Sequence, residues 1–375
     1  MVPGEVYSNS VRRVLMTTDT IGGVWTYSLE LARSLQRYNI EVVLASMGGL
    51  PSIEQKQDAA KMPNVSLFES TYKLEWMENP WEDVQKAGQW LLDLEVLTQP
   101  DVIHLNDYSH GKLNFESPSL IVGHSCVYSW YYAVKHHEPH DAWRRYRQEV
   151  TAGLRDADIV TAPTNAMLNE LRIHYGQFNS AGAVYNSRKA DEFLPKKKEP
   201  FVLSAGRLWD EAKNVSMLAY VAPRLKWPVY VAGEKEDPDG RFIPFEGVNW
   251  LGKLQSADLG RWMSKAPIFA LPAKYEPFGL SALEAALSGC ALVLGDIPTL
   301  REVWEDTAIF VDPEDYEGLC ARINELIQND RMRIEAAKKV RRRALSFTPE
   351  RMGDKYLSLY SQLVRQKHKM EINKN

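Results

Sequence analysis

Short apolar runs alternating with stretches of helical spacing, twice over, leave this chain few folds to choose from. In the first half VRRVLMTTD at 11–19, EVVLAS at 41–46, DVIHLN at 101–106, LIVGHS at 120–125 and DADIVTAP at 156–163 read as strands. Between several of them apolar residues recur every three to four positions, as at Trp25, Leu29, Ala32 and Leu35, the period of a helix with one buried face. AVYNS at 183–187 ends this half, and the charged, Pro-bounded RKADEFLPKKKEP reads as a linker. The alternation then restarts with FVLSAG at 201–206, PVYVAG at 228–233, NWLG at 249–252, PIFALP at 267–272, ALVLG at 291–295 and IFV at 309–311. Helical spacing dominates from Tyr316 onward. Strand–helix alternation builds parallel sheets covered by helices on both faces. The expectation is therefore an α/β chain of two doubly wound domains, residues 1–190 and 191–348, facing a cleft where ligands bind.

Composition narrows the class further. A chain of 375 residues is too long for one ordinary core. Its 45% hydrophobic and 25% charged residues are those of a globular enzyme. The formal net charge of −4 argues against a nucleic-acid partner, which needs a basic field. Cys126, Cys290 and Cys320 stand far apart in no paired motif, so no disulfide framework or zinc site is expected. MVPGEVYSNSVRR has no apolar core for export, and no run approaches the length of a membrane span. A cytoplasmic protein is expected, with membrane contact peripheral at most.

The most informative stretch is LPAKYEPFGLSALEAALSG at 271–289. Pro272 and Pro277 exclude a helix interior, the helix opens at Gly279 or just after it, and Gly289 stands where a left-handed cap is wanted. Glu276 and Glu284 frame the turn, and free amides of Phe278, Gly279 and Leu280 are expected to face the same opening. Amides at a helix start suit an anion, and carboxylates accept hydrogen bonds from hydroxyls. Together they describe a sugar nucleotide. The plainer alternative is a glutamate stabilised by the helix dipole beside a surface glutamate.

Other residues stand at strand ends, where open α/β sheets place ligands. Gly22 and Gly23 follow the first strand without forming a dinucleotide fingerprint, so the choice is a ligand approach or a plain tight turn. His104 reads as a satisfied core residue, and His124 as the last residue of its strand. Ser125–Tyr132 mixes small polar and aromatic groups, which suits carbohydrate as well as an aromatic core stripe. Arg207 follows a strand and Lys213 precedes a helix, a pair able to neutralise a departing diphosphate. The run Lys196–Lys198 reads as a solvated surface.

With Glu276-Pro277-Phe278-Gly279-Leu280 and Glu284 eight positions on, and with Gly206-Arg207-Leu208 before Lys213-Asn214, the chain resembles the retaining, nucleotide-sugar-dependent glycosyltransferases of family 4. Gly22-Gly23-Val24, His124 and Asn186 are weaker marks of the same likeness. The resemblance implies the GT-B architecture of two Rossmann-like domains, an acceptor domain first and a donor domain second, with a last helix near 349–366 crossing back onto the first. It implies that Arg207 and Lys213 bind the donor diphosphate, that Glu284 accepts ribose hydroxyls, and that Glu276 contacts the donor sugar with the amides of Phe278, Gly279 and Leu280. It places Gly22 and Gly23 against the transferred sugar and phosphate, and His124 near sugar and acceptor. The acceptor would be a carbohydrate, a lipid-linked sugar or a small molecule.

Two departures stand out. Family members commonly place the lysine five positions after the arginine, whereas here the gap is six and the loop has to bulge. The usual Asn-Gly is Asn186-Ser187. No carboxylate is placed as a covalent nucleophile, so same-face attack without cofactor or metal ion is expected. A sugar-nucleotide epimerase, a phosphorylase or a non-catalytic sensor are the rival readings.

Overall fold

The computed structural model describes residues 11–236, 240 and 245–372. The segment 1–10, most of the stretch read as lacking an export signal, lies outside the described residues. Contacts divide the chain into two units. The first takes the described residues up to Val127, then Pro139–Tyr185 and the chain from Pro349 on. The second takes Tyr128–Glu138 and Asn186–Thr348.

The first unit is built on β1 (Arg13–Asp19), β2 (Glu41–Met47), β3 (Val65–Glu69), β4 (Val102–Leu105), β5 (Ser119–Val122), β6 (Ile159–Ala162) and β7 (Ser180–Ala183). Their order in the sheet is β3-β2-β1-β4-β5-β6-β7, parallel throughout. The order reverses between β1 and β4, so a crevice opens beyond the carboxyl ends of those two strands. The helix Gly23–Gln36 covers one face, and the C-terminal helix Pro349–Ile372 packs beside it. Met352, Tyr356, Tyr360, Leu363 and Val364 of that last helix join the same core as Val14, Met16 and Leu31. Its tyrosines explain His104, which is fully buried. Nδ1 lies 2.6 Å from the Tyr360 hydroxyl and Nε2 3.3 Å from that of Tyr27. Burial pushes the imidazole down to about 3, so it is a neutral, satisfied core group.

A second buried cluster carries charge. His110 donates from Nδ1 to Asp107 (2.6 Å) and from Nε2 to the Val84 carbonyl (3.0 Å), which makes it an imidazolium. Burial alone would lower it, but the Asp107 carboxylate outweighs that and carries His110 up to about 9. Glu75 accepts the Ser109 amide at 2.7 Å, yet burial and then repulsion from Asp107 lift it to about 7. The folded state thus holds both protons more tightly than the unfolded chain, and stability falls as pH rises through these values. For His110 that contribution is complete below its ordinary value of 6.5 and lost through about 9. The melting temperature is expected to drop by roughly 5 °C between about pH 7 and pH 9.5, and His110→Gln to flatten that slope. Scanning calorimetry across that range checks it; a flat wild-type profile would refute the charged pair.

The second unit is built on β8 (Val202–Ala205), β9 (Val229–Ala232), β10 (Asn249–Trp250), β11 (Ile268–Leu271), β12 (Ala291–Gly295) and β13 (Ile309–Val311). The order β10-β9-β8-β11-β12-β13 is again parallel and reverses between β8 and β11. Helices Val215–Val221, Tyr316–Gln328 and Asp330–Ala344 follow the sequence expectation, and their apolar residues close the core on Val202, Val231 and Val293. In the lysine run Lys196 and Lys197 are exposed as expected, and Lys198 departs from that reading. Lys198 is partly buried and donates to the carbonyls of Ser264 (3.1 Å) and Ser288 (2.7 Å). A cation there satisfies the last carbonyls of two helices, so the residue pins the segment after Asn186 rather than solvating it.

Candidate active site

The carboxyl ends of β8 and β11 carry four of the expected residues. After β8 the chain runs through Gly206 and Arg207 into a tight turn at Glu211–Lys213. Asp210 accepts the Ala212 amide at 3.0 Å, and the Asp210 carbonyl accepts the Lys213 amide at 2.9 Å. Asn214 then adopts a left-handed conformation, φ 55°, and its side chain ties down the carbonyls of Pro272 and Pro313. This turn absorbs the extra residue between Arg207 and Lys213. The lysine stem runs beside Gly206, and its ammonium reaches Glu276 Oε2 at 2.6 Å.

Glu276 is held from its other side as well. Its Oε1 accepts the Gly279 amide at 2.9 Å and the Phe278 amide at 3.5 Å. The expectation that these amides are free for a ligand is therefore corrected. Pro277 and Gly279, at φ 88°, fold the turn so tightly that the glutamate reaches back to the helix start and serves as its anion. The helix opens at Leu280, one position after Gly279, and Gly289 has φ 78°. Lys213 and Glu276 are largely buried, with 12% and 14% of their side chains exposed. The arrangement presents a cation, a fixed carboxylate and the start of a helix at the sheet's reversal point.

Arg207 sits lower in this hierarchy of contacts. Its guanidinium pairs with Asp210 at 3.0 Å and lies 5.3 Å from the centre of the Trp209 ring. Asp210 is 5% exposed and also receives the Trp130 indole N–H at 2.8 Å. Burial would raise its carboxyl, but Arg207 and Lys213 hold it below the usual range, so it stays ionised between the two cations. Trp130 comes from the helix Val127–Lys135, which the aromatic segment forms. The hydrogen bond engages the indole N–H in the ring plane, and the Lys135 ammonium lies 5.8 Å from the ring centre. Glu284 does not join Glu276. Its Oε1 lies 2.9 Å from Arg188 Nε, and its carboxyl is raised by burial against the pull of that guanidinium.

In the first unit Gly22 has φ 91° and precedes the helix Gly23–Gln36. That helix start has no side-chain cap and no acidic residue in its first turn, and both glycines are exposed. The Asp19 carboxylate accepts the Ile21 amide at 3.0 Å just before it, and an exposed helix start of this kind suits an anionic or polar oxygen. His124 lies two residues beyond β5, not at its last position. The Asn106 amide nitrogen donates to the Thr17 carbonyl (2.5 Å), which turns its oxygen to His124 Nε2 at 2.8 Å. Nε2 therefore carries the proton and Nδ1 is an acceptor. Burial, with Tyr27 packed 4.5 Å away, pushes the ring down to about 3, so it is neutral at pH 7.

Arg188 and Asp210 were not singled out in the sequence, and Trp130 only as part of the aromatic segment 125–132. Asp210 was within reach, since an acid three positions after Arg207 pairs across one turn. Arg188 stands in a segment with no periodicity, and no local signal marks it. Among the described residues no helix is long and apolar enough to cross a membrane, and no three His, Cys, Asp or Glu side chains gather as metal ligands do.

The pattern described as Glycosyltransferase Family 4 matches residues 21–186, and that of Glycosyl transferases group 1 matches 199–329. Together the two patterns mark the chain as a family 4-like glycosyltransferase. Its GT-B fold is shared with sucrose-phosphate synthase from Thermosynechococcus elongatus, at a TM-score of 0.79 and 18% identity over 95% of this chain and 100% of that one. The Anabaena protein HepE, solved in complex with UDP-glucose, has a TM-score of 0.73 and 16% identity, covering 93% of this chain and 99% of the other. These likenesses concern the fold. By sequence the chain is 26% identical to the O-antigen chain mannosyltransferase B of Escherichia coli over 178 residues, 47% of this chain and 41% of that protein. The match thus spans less than half the length of that relative.

Proposed function

We propose that the protein transfers a sugar from a nucleoside diphosphate to an acceptor hydroxyl with the anomeric configuration retained. The observation that carries this is the Lys213–Glu276 pair, 2.6 Å apart at the reversal point of the second sheet. A diphosphate drawn there exchanges one anion for another on Lys213, while the Glu276 carboxylate, still held by the Gly279 amide, turns to the sugar hydroxyls. Arg207 supplies a second cation and Glu284 reads the ribose. Neither glutamate is assigned as a covalent nucleophile, because Glu276 is given to the sugar hydroxyls and Glu284 to the ribose. The acceptor oxygen therefore bonds to the anomeric carbon on the face the diphosphate leaves, and the departing phosphate oxygen takes the acceptor proton. In the first unit the exposed Gly22–Gly23 turn takes sugar and phosphate oxygens. Neutral His124 accepts a hydroxyl at Nδ1 and orients it, and it is not the base. HepE's complex with UDP-glucose supports a sugar-nucleotide donor, and mannosyl transfer by the E. coli relative supports a saccharide acceptor.

A thermal-shift series with UDP, GDP, ADP and their sugars tests the donor, since a ligand that binds only the folded state raises the melting point. No shift with any of them would end this reading. NMR of the product's anomeric proton tests retention; an inverted product would refute same-face attack. The leaving group's charge falls to Arg207 and Lys213, so turnover is expected to be unchanged in excess chelator. Loss of activity that magnesium or manganese restores would show otherwise.

A further inference from the structure

Glu284 lies in a helix whose other residues are almost wholly apolar and buried, and only 12% of its side chain is exposed. A carboxylate so placed is costly unless a cation faces it. The cation is Arg188, itself 7% exposed, with Nε 2.9 Å from Glu284 Oε1. Its guanidinium is fixed in turn by the Phe193 ring, 4.9 Å away, and by Glu192 at 3.8 Å. Its backbone N–H donates to the Phe347 carbonyl at 3.3 Å. The other cations around this helix are engaged elsewhere: Lys198 on the Ser264 and Ser288 carbonyls, and Arg341 on that of Leu287. Glu284 Oε2 accepts no hydrogen bond among the described residues. One oxygen is clamped and the other is left to accept.

We propose that Arg188 is a positioning residue for the donor ribose, holding Glu284 ionised and in one orientation so that its outer oxygen accepts the ribose hydroxyls. This rests on the donor reading of Glu284 given above. The charges facing that carboxyl are Arg188 and Glu192. Burial raises it, Arg188 lowers it, and Glu192 raises it again. Removing the guanidinium leaves two upward influences, so the acid form gains at neutral pH and the hydroxyls lose an acceptor.

The experiment measures binding of UDP, GDP and ADP, and of their 2′,3′-dideoxy counterparts, by calorimetry from about pH 6 to pH 9. The wild type is expected to favour the ribo form by at least ~30-fold, because a site built to bind hydroxyls rejects analogues lacking them. Arg188→Met should lose about 10-fold of that preference at the acid end and regain most of it at the alkaline end, with dideoxy binding unchanged. Arg188→Lys keeps the charge but not the planar Nε contact. It should bind independently of pH with a preference reduced about 3-fold, and it carries the test if the methionine variant does not fold. A preference in Arg188→Met, or in Arg188→Lys, equal to that of the wild type at every pH would overturn the inference. Glu284→Gln separates the two failures. If it abolishes the ribo preference while the Arg188 variants keep it, only Arg188's role falls; if it changes nothing, the ribose role of Glu284 falls and the inference with it.

Discussion

Lys213→Met is expected to lower turnover on the order of 100-fold, the scale on which loss of one transition-state donor registers. The argument starts from charge. Breaking the glycosidic bond leaves a second negative charge on the diphosphate, and a cation matched to that growing charge stabilises the transition state more than the bound substrate. Of the two cations assigned to the diphosphate, Lys213 is the more firmly held, with 12% of its side chain exposed against 36% for Arg207. Methionine preserves the stem that runs beside Gly206. Glu276 would keep the Gly279 amide at 2.9 Å, so its carboxylate is not orphaned and the fold should survive. Single-turnover rates beside a melting curve separate chemistry from stability. A variant that melts normally and turns over normally would remove Lys213 from the leaving-group site. Arg207→Ala should act on the same scale. The double variant should cost less than the product of the two, since both cations share Asp210 and one diphosphate.

Gly153→Ala should destabilise the first unit by about 3 kcal/mol, equivalent to roughly 6–12 °C in melting temperature for a domain of its size. The sign is the point of interest. Gly153 lies inside the helix Arg144–Asp156, where alanine normally gains about 1 kcal/mol over glycine. Here the helix lies directly against the turn Ser109–Lys112, and an added Cβ would stand 1.8 Å from the Tyr108 carbonyl oxygen. The same turn carries the buried His110–Asp107 pair, 2.6 Å apart, so the helix cannot shift away without disturbing a buried charge network. Thermal melts of the variant decide between propensity and packing; a stabilised protein would mean that the helix moves freely.

The donor-side residues legible in the sequence share one property. Arg207, Lys213, Glu276 and Glu284 lie at the ends of strongly patterned strands or in the first turns of the helices that follow, so strand placement located them. Their pairing was not legible. The glutamates were read as facing one opening, whereas Glu276 pairs with Lys213 and Glu284 with Arg188. Two of the amides assigned to a ligand, those of Phe278 and Gly279, are taken by Glu276 because the Pro277–Gly279 turn curls back on itself, which residue types alone do not announce. Lys198 read as solvent-facing because a run of three lysines has no periodicity; the carbonyls it caps lie 66 and 90 positions away in the chain.

By itself the sequence determined the alternation of strand and helix, and with it two parallel sheets and the strand ends at which polar residues gather. Those features follow from local hydrophobic period and from glycine and proline punctuation, which act over a few residues. Tertiary structure alone decided which charge meets which, because ion pairs such as Arg188–Glu284 join positions distant in the chain. It also decided that segment 128–138 is grouped with the second unit and that a glycine inside a helix lies against the Tyr108 carbonyl. Contacts of that kind depend on how finished elements stack, and stacking leaves no mark on the spacing of the residues that make it.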